Sequence, residues 1–249
     1  MSYVLFGVFV ALVMLNVPIA VSLGLATLSA IVVFQSVPLM VVAQKMFTAT
    51  DSFPLMAIPF FMIAGALMEK GGISKRLIHL ANAIIGSLSG GLALVTVVAS
   101  MFFAAISGSA PATVAAIGSL MIPAMVRQGY NHNFATATQA SSGYIGVIIP
   151  PSIPMITYGV VTGASIGKLF MAGLIPGLVM GIALMIVAYL TSRKRGYVGS
   201  GQASFRESFI AFKDAILALL MPIIILGGIY GGIFTPTEAA NIAVVYGAI

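Results

Sequence analysis

Cysteine is absent from the 249 residues, and charge is scarce: Lys and Arg number 11, Asp and Glu 5, together 6% of the chain. Missing thiols exclude disulfides, thiolate metal sites and cysteine nucleophiles. Missing charge excludes a soluble domain, where about 25% is usual. Acidic residues are scarcest, with none between Glu69 and Glu207, so no carboxylate proton relay crosses the middle of the chain. H-E-x-x-H does not occur. Ser107 with the distant Lys168 is a conceivable dyad without a supporting motif. His79 and His132 lack metal-ligand spacing to each other and read as surface or interfacial residues. Period-two alternation is also lacking, which excludes an outer-membrane barrel.

What remains is apolar, at 60% of residues. Residues 1–44, 77–126, 128–167, 169–192 and 215–237 carry no Asp, Glu, Lys or Arg. Each stretch exceeds the roughly 20 residues that a helix needs to cross a bilayer. The fold class is therefore an all-α polytopic membrane protein. The net charge of +6 does not indicate nucleic acid, because the basic residues sit at the ends of apolar spans. No charged n-region or small-residue cleavage site opens the chain, so Met1 onward reads as the first membrane segment.

Residues 3–34 are too long for one straight crossing, and Asn16-Val17-Pro18 is the expected break between helices near 2–16 and 18–36. Residues 38–52 read as a loop or surface helix. The span from Phe53 to Met68 ends at Gly71-Gly72. Residues 74–89 are amphipathic: Leu77, Ala81, Ile84, Ile85 and Leu88 share a face, with Lys75, Arg76, His79 and Asn82 off it. Such a helix lies in the interface as an arm.

Residues 90–126 are split by Ser107-Gly108-Ser109-Ala110-Pro111 into arms of about 24 Å, short of the roughly 30 Å core. A re-entrant hairpin fits, and so do two short crossings with an external turn. A helix over 133–162 is broken at Gly143 to Pro154, where Pro150, Pro151 and Pro154 cannot continue it. Further spans are expected at 174–192 and 209–232, joined by a linker over 194–208. Gly227, Gly228, Gly231 and Gly232 read as close helix packing. Thr235, Pro236 and Glu238 then open a helix with 11 further residues, which suggests a chain continuing past Ile249. With the hairpin open to the cytoplasm, nine basic residues are inside and only Lys45 and Lys168 outside, as the positive-inside bias requires.

Helices broken inside a membrane persist where they line a cavity or bind something. A hairpin tip offers the carbonyl end of one helix beside the N–H end of the next. Because proline lacks an N–H, the carbonyls of Gly146, Val147 and Pro150 lose their i+4 donors. Ser107, Gly108 and Ser109 at the tip, with Gly143, Gly146, Val147 and Pro150, form a candidate set of neutral oxygens for a hard cation. With no acid nearby, Na⁺ rather than H⁺ is the expected coupling ion, and no other cofactor is implied. Ala110, Pro111, Thr113, Ser141 and Ser142 are candidates for a substrate path. Thr136, Thr138, Gln139, Ser141 and Ser142 could instead hold helices together. Gly143 to Gly146 faintly matches a potassium-filter loop, so an ion channel and a structural assembly subunit stay open beside a transporter.

Four ordered blocks resemble the large membrane subunit of tripartite ATP-independent periplasmic (TRAP) transporters, the DctM-like family: Pro54 to Gly65, Ser107 to Gly118, Gly143 to Pro154 and Gly232 to Ala240. The resemblance implies an ion-transporter-type elevator fold of two inverted repeats, each with one re-entrant hairpin and one broken helix. On this chain it implies scaffold helices at 1–73, an arm at 74–89, half a transport domain at 90–193 and the start of a second repeat at 209–249. It further implies Na⁺-driven import of an organic acid, a carboxylate, at the bacterial or archaeal inner membrane. The implied partners are a small four-helix membrane subunit and a periplasmic substrate-binding protein.

Overall fold

The computed structural model describes residues 1–35, 37–199 and 204–248. Residues 200–203, within the linker expected at 194–208, therefore lie outside the described residues, as do Ser36 and Ile249. Among those described there are twelve α-helices, two short 3-10 turns and no strand. They form two compact units, 1–52 and 53–249.

In the first unit α1 (Ser2–Met14) and α2 (Ile19–Phe34) form a helical pair. The break falls at the expected place: Asn16 takes φ +59° and Pro18 caps α2. Ala26 and Ala30 are fully buried, while larger residues such as Val32 and Val33 face outward. This inversion of the soluble pattern suits a lipid environment, where small residues bring helices together. The segment expected as a loop or surface helix forms α3 (Leu39–Thr50).

The second unit is built around one helix. A 3-10 turn at Phe53–Met56 leads into α4 (Ala57–Lys70), then α5 (Ile73–Ile85), α6 (Gly91–Ser107), α7 (Ala110–Arg127) and α8 (His132–Gly143). After a second 3-10 turn at Tyr144–Val147 come α9 (Ile153–Thr162), α10 (Ile166–Lys194), α11 (Phe205–Tyr230) and α12 (Pro236–Ala248). Helix α6 is apolar nearly all round, which is the signature of a core helix. It touches α4, α5, α7, α8, α10 and α11. Among the described residues, four helices are long and apolar enough to cross a membrane: 53–70, 110–127, 166–194 and 205–230. Together with the shorter apolar helices they make the chain a multi-pass membrane protein.

Helix α10 shows how such a chain packs. Gly173, Gly177 and Gly181 lie one turn apart, and a Cβ at these positions would meet the Ile148 carbonyl oxygen at 2.5 Å, Ile149 Cγ1 at 2.6 Å and Met101 Sδ at 2.3 Å. The opposite face presents Ile175, Val179, Ile182 and Ile186 to the outside. Small residues inward and bulky ones outward let α10 press against the interrupted part of the chain between α8 and α9. This helix begins at Ile166, well ahead of the expected 174, because Ser165 caps it by accepting from the Lys168 N–H at 3.4 Å. Likewise α11 begins at Phe205 rather than 209, behind a capping box of Ser204 and Glu207.

A clasp closes the base of the second unit. The carbonyl of Tyr197 accepts from the Gly90 N–H at 3.0 Å, and its hydroxyl accepts from the Asn131 N–H at 3.0 Å. Its ring stacks on Tyr130 at 4.2 Å, and the Arg195 guanidinium lies 5.3 Å from the Phe134 centroid. Tyr197, three residues past the end of α10, thus holds the start of the hairpin and the loop between α7 and α8.

The glycines at 227–232 do less between helices than their spacing suggests. A Cβ at Gly228 would strike the Phe234 ring, and Gly232 takes φ +69° with nothing within 4 Å, so they shape the turn into α12. Helices α4 and α12 run side by side in the same direction: Thr237 Oγ1 donates to the Phe53 carbonyl at 3.1 Å near their starts, and Gly247 approaches Met68 near their ends. Ala57 and Ala64 on one helix, and Ala240 and Ala243 on the other, are buried.

The α12 start is held by Glu238, whose carboxylate accepts from the Thr235 N–H and hydroxyl, each at 2.8 Å. These bonds, the backbone one first, hold its pKa below the ordinary 4.5. A lowered folded value means that the cap is fully stabilising above the unfolded value and loses that contribution as pH falls through the folded one. Hydrogen exchange over residues 235–240, corrected for intrinsic rates, should show this helix start loosening only below the ordinary carboxylate range. Glu238→Gln should remove that acid dependence.

Candidate functional site

The two interruptions of the second unit meet. Helix α6 ends at Ser107, Gly108 with φ +60° reverses the chain, and α7 begins at Ala110 behind its Ser109 cap. The Gly108 carbonyl accepts from the Ile153 N–H at 3.1 Å, so the hairpin tip is bonded to the first turn of α9. A Cβ at Gly108 would lie 2.5 Å from the Pro151 carbonyl oxygen. Only glycine supplies both the left-handed turn and this approach.

The local sequence explains why two helices start here. Ser109-Ala110-Pro111 and Ser152-Ile153-Pro154 are the same device, a serine N-cap followed by proline in the first turn. Ser109 Oγ accepts from the Ala112 N–H at 3.4 Å, and Ser152 Oγ accepts from the Met155 N–H at 3.4 Å. Both serines hold nearly the same extended backbone, φ −134° and −130°. On the other side of the junction α6 ends at Ser107, and α8 runs into the 3-10 turn at Tyr144–Val147. Two helix N-termini and two helix C-termini therefore converge on one small region with no Asp, Glu, Lys, Arg or His of its own. The N-termini favour negative charge and the C-termini positive charge.

Hydroxyls link these ends. Ser107 Oγ lies 3.2 Å from Thr113 Oγ1, and Thr113 Oγ1 donates to the Ser109 carbonyl at 2.9 Å. Ser107 and Thr113 are buried. A Cβ at Gly146 would sit 3.0 Å from Thr113 Oγ1 and 3.2 Å from the Ser109 carbonyl oxygen, which places the joint directly against the tip. Pro150 and Pro154 stand where the i+4 donors to Gly146 and Pro150 would be. The Val147 carbonyl differs from expectation: it accepts from Ser152 Oγ at 2.5 Å, so the serine that caps α9 also covers this oxygen. The Pro150-Pro151 peptide is cis.

The residues considered for a substrate path divide. Ser141 and Ser142 line a cleft of about 250 Å³ with Val97, Phe134, Leu184 and Thr191, between α6, α8 and α10. Ala110 and Pro111 form the first turn of α7 at the junction, and Thr113 is buried in the hydroxyl network. Gln139, open between path and packing, is fully buried; its Nε2 donates to the Thr113 carbonyl at 3.3 Å, while Oε1 has no partner. Thr136, Thr138 and Ser142 bond back to the carbonyls of His132, Phe134 and Thr138 in their own helix. Gly143 completes the seam between α7 and α8, since a Cβ there would fall 2.2 Å from Val114 Cγ2. Sequence reasoning missed the Ser152 cap, although the repeated Ser-x-Pro signal was available to find it.

Residues 6–249 match the family described as "Tripartite ATP-independent periplasmic transporter, DctM component". The chain belongs to the DctM family. Similar proteins include the isethionate TRAP transporter permease protein DctMQ of Oleidesulfovibrio alaskensis, 56% identical over 99% of this chain and 39% of that protein. The C4-dicarboxylate TRAP transporter large permease protein DctM of Rhodobacter capsulatus is 44% identical over 98% of this chain and 59% of its own length. The sialic acid TRAP transporter large permease protein SiaM of Vibrio cholerae is 42% identical over 97% of this chain and 56% of its own. This DctM chain thus spans about half the length of such relatives, and they are transporter permeases by name rather than enzymes.

Proposed function

We propose that this chain forms the part of a TRAP large permease that carries one Na⁺ site and one face of an organic-acid site, both at the junction of hairpin and broken helix. The Gly108–Ile153 hydrogen bond carries the reading, because it brings helix ends of opposite polarity together where side-chain charge is absent. The carbonyls of Gly146 and Pro150, with Ser107 Oγ and the backbone of Gly108, Ser109 and Gly143, are the Na⁺ ligand candidates. Val147, Gly108 and Ser109 contribute less through their carbonyls, whose oxygens are engaged by Ser152, Ile153 and Thr113. The N-termini of α7 and α9 face the substrate carboxylate. The hairpin of α6 and α7 enters the bilayer and returns, and moves with α8 to α10 as an elevator, while α5 lies in the interface as the connecting arm. A small membrane subunit and a periplasmic binding protein complete the system at the inner membrane.

The test is uptake of a radiolabelled acid into proteoliposomes by the full-length transporter, with Na⁺ varied. Ser107→Ala removes one hydroxyl and Pro150→Ala restores a donor to the Gly146 carbonyl. Loss of one neutral ligand is expected to cost about 1–2 kcal/mol, raising the half-saturating Na⁺ concentration about 5–30-fold. Uptake indifferent to Na⁺, uncoupled conduction, or unchanged Na⁺ dependence in both variants would overturn the proposal.

A further inference from the structure

Away from that junction, residues of α5, α6 and α7 line an open cleft of about 360 Å³. Lys75, His79 and Gln128 line it together with the apolar Leu92, Leu120 and Met121. The volume falls within the roughly 300–1,000 Å³ of small-molecule clefts. Its polar contributors are placed by periodicity: Lys75, Ile78, His79 and Asn82 are at i, i+3, i+4 and i+7 of α5 and share a face. The opposite side of α5 carries Leu80, which packs with Ala211 and Ala215 of α11. Gln128 caps the C-terminal end of α7 directly after Arg127, where an apolar span of 18 residues stops. Gln128 is thus at a membrane boundary, and Leu120 and Met121 lie about two turns further along the span.

Charge decides the occupant. No acidic residue occurs between Glu69 and Glu207, so α5, α6 and α7 offer Lys75 no carboxylate partner, and no α11 residue lines the cleft. A cationic mouth over an apolar floor at the bilayer boundary matches one ligand, and we propose that this cleft binds an anionic phospholipid. The headgroup phosphate is held by Lys75, with His79 and Gln128 as hydrogen-bonding neighbours, and an acyl chain lies along Leu92, Leu120 and Met121. Basic pockets between membrane helices on the cytoplasmic side take such headgroups. The amphipathic α5 becomes a lipid-gripping element as well as a connector.

Native mass spectrometry of the full-length transporter, titrated with phosphatidylglycerol or phosphatidylcholine of equal chain length, tests this. The wild type should retain phosphatidylglycerol in preference. Lys75→Ala should weaken that retention about five-fold, one basic residue near the surface being worth roughly that factor. Leu120→Trp fills the floor without altering charge and should displace the lipid while Lys75 remains. Thermal unfolding in detergent checks that both variants stay folded. Equal retention of the two lipids, or retention unaffected by both substitutions, would overturn the proposal. Binding of soluble glycerophosphate as tight as that of the lipid would overturn it too, because the floor would then contribute nothing.

Discussion

Replacing Gly108 by alanine should cost the full-length transporter about 3–4 kcal/mol and abolish uptake. Holding an L-residue at φ +60° costs about 1–2 kcal/mol. The new Cβ would also lie 2.5 Å from the Pro151 carbonyl oxygen, which is backbone and cannot swing aside. Relieving that clash means parting the tip from α9, which leaves the Ile153 N–H without its acceptor at a further cost of about 1–3 kcal/mol. Gly129 provides the control: its φ is +85°, yet a Cβ there meets nothing within 4 Å. Gly129→Ala should therefore show only the conformational cost, about 1–2 kcal/mol. Unfolding in a titrated denaturing detergent separates the two. Equal losses would mean that contact at the tip contributes nothing.

Gly143→Ala is expected to be damaging as well, and a second substitution should repair it. Its Cβ would fall 2.2 Å from Val114 Cγ2, an overpacking that costs about 1–3 kcal/mol in a close-packed seam. Unlike the Pro151 carbonyl, the nearest obstacle is a methyl group that can be deleted. Val114→Ala in the same chain should recover most of the loss, giving a favourable coupling energy of about 1–2 kcal/mol in a double-mutant cycle. Strict additivity would show that α7 and α8 part at this point instead of transmitting the clash.

How much of this could be read in advance depended on the range of each signal. Local signals performed well. Asn16-Val17-Pro18 breaks the first apolar run, Gly108 turns the hairpin, and Pro150 with its neighbours interrupts the helix that follows, because each acts through the backbone of a few residues. The early start of α10 was obscured by Gly167, Lys168 and Gly173, which lower helical and apolar character although Ser165 caps the helix. The site was legible as two sets of loose helix ends and not as one. The bond from Ile153 to Gly108 joins segments with no shared periodicity, and the inward glycines of α10 are recognisable as a docking face only once Ile148 and Ile149 lie against them. Gln139 was ambiguous for a related reason: a single amide on a helix of small polar residues acquires its role from the Thr113 carbonyl across the seam.

The Tyr197 clasp bears on the order in which the chain assembles. Tyr197 accepts the N–H of Gly90, which is synthesised roughly a hundred residues earlier, and the N–H of Asn131 as well. Until α10 has entered the membrane and its following turn has emerged, neither donor has this acceptor, and unpaired backbone groups near lipid are costly. The hairpin can be inserted early, but its base is sealed late, by a residue that arrives only when the broken helix and α10 are in place. Biogenesis intermediates halted before residue 197 should therefore carry a hairpin whose base is open to proteases and to membrane quality control, whereas those halted after it should not.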